Sequence, residues 1–158
     1  MTSKMKLIVD ANNLAYAAFI SLRGLSVDEL PTGVIYGFFL QVLKLAVEFQ
    51  TNDFVFCWDS RKRFRRNIFS EYKNKRDEMT KEEKAQKQIA YDQFAALRKE
   101  ILPSVGFENV FMKAGYEADD LIAYVVINPP RSLNREKYLV ISTDNDMFQL
   151  LSYCDIPT

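Results

Sequence analysis

The sequence predicts an α/β domain with a mainly parallel, twisted sheet and helices on both faces. Three observations carry this. Short runs rich in β-branched and aromatic residues alternate with longer helical patterns, as βαβ units require. Those runs are apolar at successive positions rather than at every second one, so both faces of each strand should be covered. The length of 158 residues suits one domain with a sizeable core, and no repeat or interdomain linker interrupts it.

The elements follow in order. Met5 to Asp10 reads as a buried strand ending in an acid, and Ala11 to Leu22 as a helix. Gly24 to Thr32 reads as a loop, with Pro31 and Thr32 suited to start a helix over Gly33 to Phe49. Asp53 to Trp58 is a second buried strand, followed by Asp59. After a basic insertion, Thr80-Lys81-Glu82-Glu83 matches a capping box and opens a long helix to about Leu102, ended by Pro103. Asn109 to Met112 is a short third strand, and Glu117 to Ile127 a helix broken by Asn128-Pro129-Pro130. Lys137 to Ser142 is a fourth strand, and Met147 to Leu151 a short last helix.

Composition removes whole classes of chemistry. The chain has no histidine, which excludes Ser-His-Asp and Cys-His nucleophilic systems and a His-ligated zinc. Cys57 and Cys154 make no disulfide framework, so a reducing compartment is expected. Cys57 lies in a buried strand with no basic partner and reads as core. The apolar run at Leu7 to Val9 is too short for a signal peptide. The longest apolar stretch, Gly33 to Phe49, carries Gln41, Lys44 and Glu48 and does not suit a membrane span. A cytoplasmic protein is expected.

The net charge is 0 but unevenly placed. Residues 1–60 hold 4 basic and 6 acidic side chains, residues 61–100 hold 13 and 7, and residues 101–158 hold 4 and 8. A basic middle lies between two acidic ends, which suits a polyanion on one part and metal on the others.

The acids have a pattern. Asp10 and Asp59 follow the first two strands directly. Glu117, Asp119 and Asp120 follow the third after a short loop, and Asp144 and Asp146 follow the fourth. A single Asp after a strand more commonly caps the next helix. Four strands in succession leading into acids is more than capping requires. Parallel strands place all these ends on one edge, where α/β sheets bind ligands. So many carboxylates repel unless a cation intervenes. The oxygen-only donor set suits Mg²⁺ or Mn²⁺, and a pair of such ions suits a phosphodiester. Asp144-x-Asp146 alone is similar to the D-x-D of haloacid-dehalogenase-type phosphatases, but that chemistry leaves Asp10 and Asp59 without a role.

Residues 61–76 carry eight basic side chains and one acid, Glu71, with Phe64, Phe69 and Tyr72 interleaved. Basic groups neutralise phosphates and aromatic faces stack on unpaired bases. Arg61, Lys62, Arg63, Arg65, Arg66, Tyr72 and Lys75 are therefore candidate nucleic-acid contacts. Phe64, Ile68 and Tyr72 also share one helical face, which suits packing.

These motifs together resemble the 5′-nuclease family of phage flap endonucleases, the 5′–3′ exonuclease domain of bacterial DNA polymerase I, and eukaryotic flap endonucleases. The stretches that carry the resemblance are Leu7 to Leu14, Phe56-Cys57-Trp58-Asp59, Glu71 to Arg76, Gly115-Tyr116-Glu117-Ala118-Asp119-Asp120, and Ile141 to Asp146. Their order and spacing match over nearly the whole chain. The resemblance implies a PIN-like fold over 1–158, with a helical arch from about 61 to 93 that passes a single strand. It implies metal-dependent hydrolysis of phosphodiesters near 5′ single-stranded ends or flaps of DNA. By position, Asp10, Asp59, Glu117 and Asp119 would serve one metal, and Asp120, Asp144 and Asp146 would serve or border a second. Lys73 and Arg76 match the basic pair at the scissile phosphate. The family's C-terminal helix–turn–helix-like DNA-binding module has no counterpart in this sequence. That implies an under-liganded second metal and a protein partner supplying the module. The alternative is a catalytically incomplete nucleic-acid-binding relative, or a subunit of a split nuclease.

Overall fold

The computed structural model describes residues 5–60, 80–128 and 137–153. Four parallel strands form the main sheet: β1 (Met5–Asp10), β4 (Phe54–Trp58), β5 (Val110–Met112) and β6 (Lys137–Ile141). Their order is β5-β4-β1-β6. The chain steps from β1 to β4 to β5 in one direction, then returns to place β6 on the other side of β1. Leu7 pairs with Phe54 on one side and Leu139 on the other.

Alternation along the strands feeds two cores. Leu7, Val9, Phe54, Phe56 and Trp58 face α1 (Ala11–Ser21), α2 (Gly33–Glu48) and α3 (Lys81–Ala96). Ile8, Val55 and Cys57 face α4 (Ala118–Ile127) through Ala118, Ile122 and Val126. The expected coverage of both faces is thus observed. The first core is aromatic: Phe38 stacks on Trp58 with centroids 5.8 Å apart, and Phe107 meets Phe56 edge-on at 5.2 Å. Among the described residues, no helix is long and apolar enough to cross a membrane.

The structure differs from the sequence reading in four places. The expected loop before α2 holds a small antiparallel hairpin, β2 (Ser26–Val27) and β3 (Leu30–Pro31), turned by Asp28 and Glu29. Both turn residues have positive φ, 49° and 67°, the geometry usually signalled by Asn-Gly. Pro103 does not stop the third helix but sits inside its last turn. The helix widens to a π-turn at Leu97–Ile101, where the Leu102 N–H donates to the Leu97 carbonyl. This moves the carbonyl row that a proline ring would otherwise strike. The helix then ends at Gly106, φ 97°. Phe107 N–H donates to the Leu102 carbonyl, and Gly106 N–H to that of Pro103, a Schellman closure that sends Phe107 into the core. The last helix is 3₁₀ over Asn145–Tyr153, starting earlier than expected.

The fourth difference is the cap of α2. Thr32 occupies the N-cap position without a side-chain cap bond. Gln93 of α3 supplies it: buried, its Oε1 accepts from the Val34 N–H at 3.1 Å and the Ile35 N–H at 3.4 Å. Gly33 permits the approach of α2 to the end of α1, since a Cβ there would lie 2.1 Å from the Leu22 carbonyl oxygen. Gln93→Leu keeps the volume and orphans one buried and one half-buried donor, so it should cost about 1–3 kcal/mol. Urea unfolding should show a lower midpoint at unchanged slope. An unchanged midpoint would mean that Thr32 takes over the cap.

Candidate metal centre and active site

All four strands of the main sheet end on the same edge, and the strand order reverses between β1 and β6. That reversal opens the crevice in which α/β sheets bind ligands. Asp10 ends β1 beside it, and its carboxylate bridges it. Its Oδ1 accepts from the Asn13 N–H at 3.0 Å and caps α1, while its Oδ2 accepts from the Ser142 hydroxyl, just past β6, at 3.1 Å. Asp10 is 8% exposed, and this burial pushes its carboxyl up to about 6. The Asn13 hydrogen bond opposes the rise, the Asp59 charge adds to it, the Ser142 hydroxyl opposes it, and the Asp119 charge adds again. Asp10, Asp59 and Asp119 therefore share one electrostatic environment.

Asp59 follows β4. Its N–H donates to Asn12 Oδ1 at 3.0 Å, and its Oδ1 accepts from the Ala118 N–H, at the start of α4, at 2.8 Å. Glu117, 6% exposed, is the N-cap residue of α4 and donates its N–H to Asp120 Oδ2 at 2.9 Å. Asp119 Oδ1 accepts from the Asp120 N–H at 2.8 Å. Past β6, the Asp144 N–H donates to Ser142 Oγ, and the Asp146 N–H to Asp144 Oδ1. Asp144 and Asp146 are exposed. Ser142 thus touches Asp10 with its hydroxyl hydrogen and Asp144 with its oxygen.

The seven acids lie around one edge, but not as a closed cage. Among the described residues, no three His, Cys, Asp or Glu side chains are drawn together as a ready metal-binding group. The donor set fits a divalent cation all the same. It consists of hard oxygen ligands, and at its centre is a buried carboxylate raised by burial and by two like charges.

Lys73, Arg76, Arg61, Lys62, Arg63, Arg65, Arg66, Tyr72 and Lys75 lie outside the described residues, as does the expected arch before Thr80. From Thr80 onward the chain is α3, opened by the expected capping box and already buried at Ala90 and Gln93. Cys57 is core as expected: buried, with its thiol pushed up to about 12 by burial and then by the Asp10 charge.

Sequence reasoning gave no role to the polar residues between the acids. Ser60 is 4% exposed; its Oγ accepts from the Gly115 N–H at 2.8 Å, and its N–H donates to the Tyr116 carbonyl at 3.0 Å. It ties the end of β4 to the loop that delivers Glu117, which turns at Gly115 with φ 93°. Asn12, Asn13, Ser142 and Thr143 make comparable links. The one signal available was a small polar residue within two positions of the acid after β1, β4 and β6.

Burial of Asp10 sets a pH dependence in the metal-free protein. Its folded pKa of about 6 stands above the ordinary 3.8, so the folded state holds a proton that the unfolded state releases. Stability is therefore highest below about 4 for this group, and falls as pH rises through about 6. The loss is about 3 kcal/mol, at about 1.4 kcal/mol per pH unit. Asp10→Asn keeps an acceptor for the α1 cap and removes the charge. Urea unfolding without metal should show it more stable than the wild type at pH 7.5 by up to that amount, and no more stable at pH 4. Mg²⁺ should stabilise the wild type and not the variant. Equal wild-type and variant stabilities at pH 7.5 would refute the assignment.

Residues 5–156 match the family described as the 5′-3′ exonuclease, N-terminal resolvase-like domain. The chain is 33% identical over 155 residues to DNA polymerase I of Mycobacterium leprae, covering 96% of this chain and 16% of that protein. It is 30% identical over 149 residues to the 5′-3′ exonuclease of Buchnera aphidicola, covering 92% of this chain and 48% of that one. Among solved structures, it resembles the T5 D15 protein co-crystallised with metal ions, with TM-score 0.73 and 26% identity. That match covers 93% of this chain and 52% of the T5 protein. The chain thus spans about half the length of the exonucleases it matches. With residues 5–156 accounted for and the acids on the expected edge, the chain belongs to the 5′-3′ exonuclease family, through its N-terminal resolvase-like domain.

Proposed function

We propose that this chain hydrolyses phosphodiester bonds near the 5′ ends of DNA, as a structure-specific 5′–3′ exonuclease or flap endonuclease of replication and repair, with Mg²⁺ or Mn²⁺ as cofactor. The observation that carries the reading is the Ser142 bridge between Asp10 and the Asp144 loop. It joins the acids of β1 and β6 at the reversal of strand order. The metal ions crystallised with the T5 D15 protein, and the zinc bound to the T5 5′-exonuclease, support a divalent cofactor. Two cysteines without a disulfide framework suit the cytoplasm.

Bound divalent cations would supply a water deprotonated near neutral pH and a Lewis acid for the phosphoryl oxygens. The chain's own residues do the rest. Asp10, Asp59, Glu117 and Asp119 hold one cation, and Asp120, Asp144 and Asp146 hold or border the second. Lys73 and Arg76 meet the scissile phosphate and offset the charge that grows on it. Arg61, Lys62, Arg63, Arg65, Arg66 and Lys75 neutralise flanking phosphates, and Tyr72 offers a stacking face. A second reading is favoured by the open arrangement of the acids, no three of which are drawn together among the described residues. In it, this domain binds DNA and a partner protein completes the catalytic unit.

Labelled 5′-flap DNA should be cut in Mg²⁺ or Mn²⁺ and not in a chelator. Lys73→Ala should slow single-turnover cleavage at saturating DNA by about 10²–10³ with little change in affinity. Arg65→Ala should instead weaken binding and lower the slope of log K against log salt by about 0.9 on duplex DNA. DNA binding without cleavage under any metal would favour the second reading. Neither binding nor cleavage would remove both.

A further inference from the structure

Asn12 and Asn13 follow Asp10 directly, and their side chains reach toward opposite neighbours of β1. Asn12 Oδ1 accepts from the Asp59 N–H at 3.0 Å, across to the end of β4. Asn13 Nδ2 donates to Thr143 Oγ1 at 2.8 Å, and its Oδ1 accepts from that hydroxyl at 3.0 Å, across to the loop after β6. The Asn13 N–H also holds Asp10 Oδ1. Successive residues on a helix are turned by about 100°, so two neighbours can address two different strands.

We propose that Asn12 and Asn13 are positioning residues that set the acids of the two flanking strands in register with Asp10. Asn12 fixes Asp59, and Asn13 fixes the Asp144–Asp146 loop through Thr143. The inference deepens the metal-dependent nuclease reading and rests on it.

Three points argue that these contacts serve the site more than the fold. Asparagine is a poor helix former, and α1 is already capped by Asp10, so the helix does not call for two of them in its first turn. The Asn13–Thr143 pair is exposed, where a neutral hydrogen bond adds little stability. Each contact ends on an acid or on the residue beside one: Asp59 itself, and Thr143 next to Asp144. The amide also suits the electrostatics. It supplies an acceptor toward Asp59, and both donor and acceptor toward Thr143. It adds no charge where Asp10, Asp59 and Asp119 already repel. Groups that orient metal ligands in this way typically change metal affinity by about 10–100-fold when removed.

The test uses the whole chain and Mn²⁺, with free ion counted by electron paramagnetic resonance and metal-free melting followed separately. Asn12→Ala and Asn13→Ala should each weaken Mn²⁺ binding about 10-fold or more, with melting temperatures close to wild type. Thr143→Val should reproduce Asn13→Ala, and the double variant should be no worse than either single one. Asn12→Asp, which keeps the acceptor for the Asp59 N–H, should bind Mn²⁺ at least as well as wild type. Lowered melting temperatures with unchanged Mn²⁺ affinity would overturn the inference and leave the nuclease reading standing. Additive losses at Asn13 and Thr143 would overturn the Asn13 half. A wild-type chain that binds no Mn²⁺ would bring down the nuclease reading and the inference together.

Discussion

The carboxylate of Asp10 is the constraint around which the rest of this structure is arranged. It ends β1, the strand with a parallel neighbour on each side at the reversal of strand order, and it is buried there. An ionised group in that position must be met by donors or by a cation. The fold supplies donors from both directions: the start of α1 through the Asn13 N–H, and the end of β6 through Ser142. Those two bonds hold Asp10, and they also define the crevice. They tie the first helix and the last strand to one side chain, although Ser142 lies 132 residues further along the chain.

What was legible in the sequence was whatever local chemistry dictates. Leu7 to Val9 and Phe54 to Trp58 could only be doubly covered strands, and the acids after them could only gather on one edge once those strands ran parallel. The Thr80 capping box was legible for the same reason, since both of its partners lie within four residues. What was not legible depends on partners far away in sequence. Gln93 caps a helix 59 residues earlier, Ser60 anchors a loop 55 residues later, and Asn13 meets Thr143 across 130 residues. No periodicity records such a pairing. The hairpin at Asp28 and Glu29 was hidden for a different reason. Its turn takes positive φ at two residues that seldom supply it, and flanking strands of two residues each leave no pattern.

The sequence also posed a choice, and the structure shows one side of it. An Asp after a strand can be a helix cap or a metal ligand, and capping is the commoner role. Here the capping is visible, and ligation is the role proposed for the same side chains. Asp10 Oδ1 takes an N–H of α1, Asp59 Oδ1 takes the first N–H of α4, and Asp144 Oδ1 takes an N–H of the last 3₁₀ helix. Three helical N-termini thus converge on the acidic edge, each carrying the partial positive charge of its unsatisfied amides. Their summed field offsets part of the repulsion among the carboxylates, which lets the fold carry so many acids on one edge before any cation arrives.

Under the proposed metal-dependent reading, capping and ligation are linked rather than competing. Each of the three caps engages one carboxylate oxygen and thereby restricts the rotation of the group. Holding a ligand's orientation in advance is what lowers the entropic cost of gathering several ligands around one ion. It follows that alanine is the wrong replacement for reading these positions. It removes the cap with the ligand, and a loss of about 1 kcal/mol of helix stability would pass for a loss of metal binding. Asparagine retains an acceptor for the cap while discarding the charge, and so separates the two roles. The same reasoning places the neutral asparagines after Asp10. Where three of the nearby carboxylates are already engaged at helical termini, residues that align the acids across strands can add hydrogen bonds to the edge without adding negative charge.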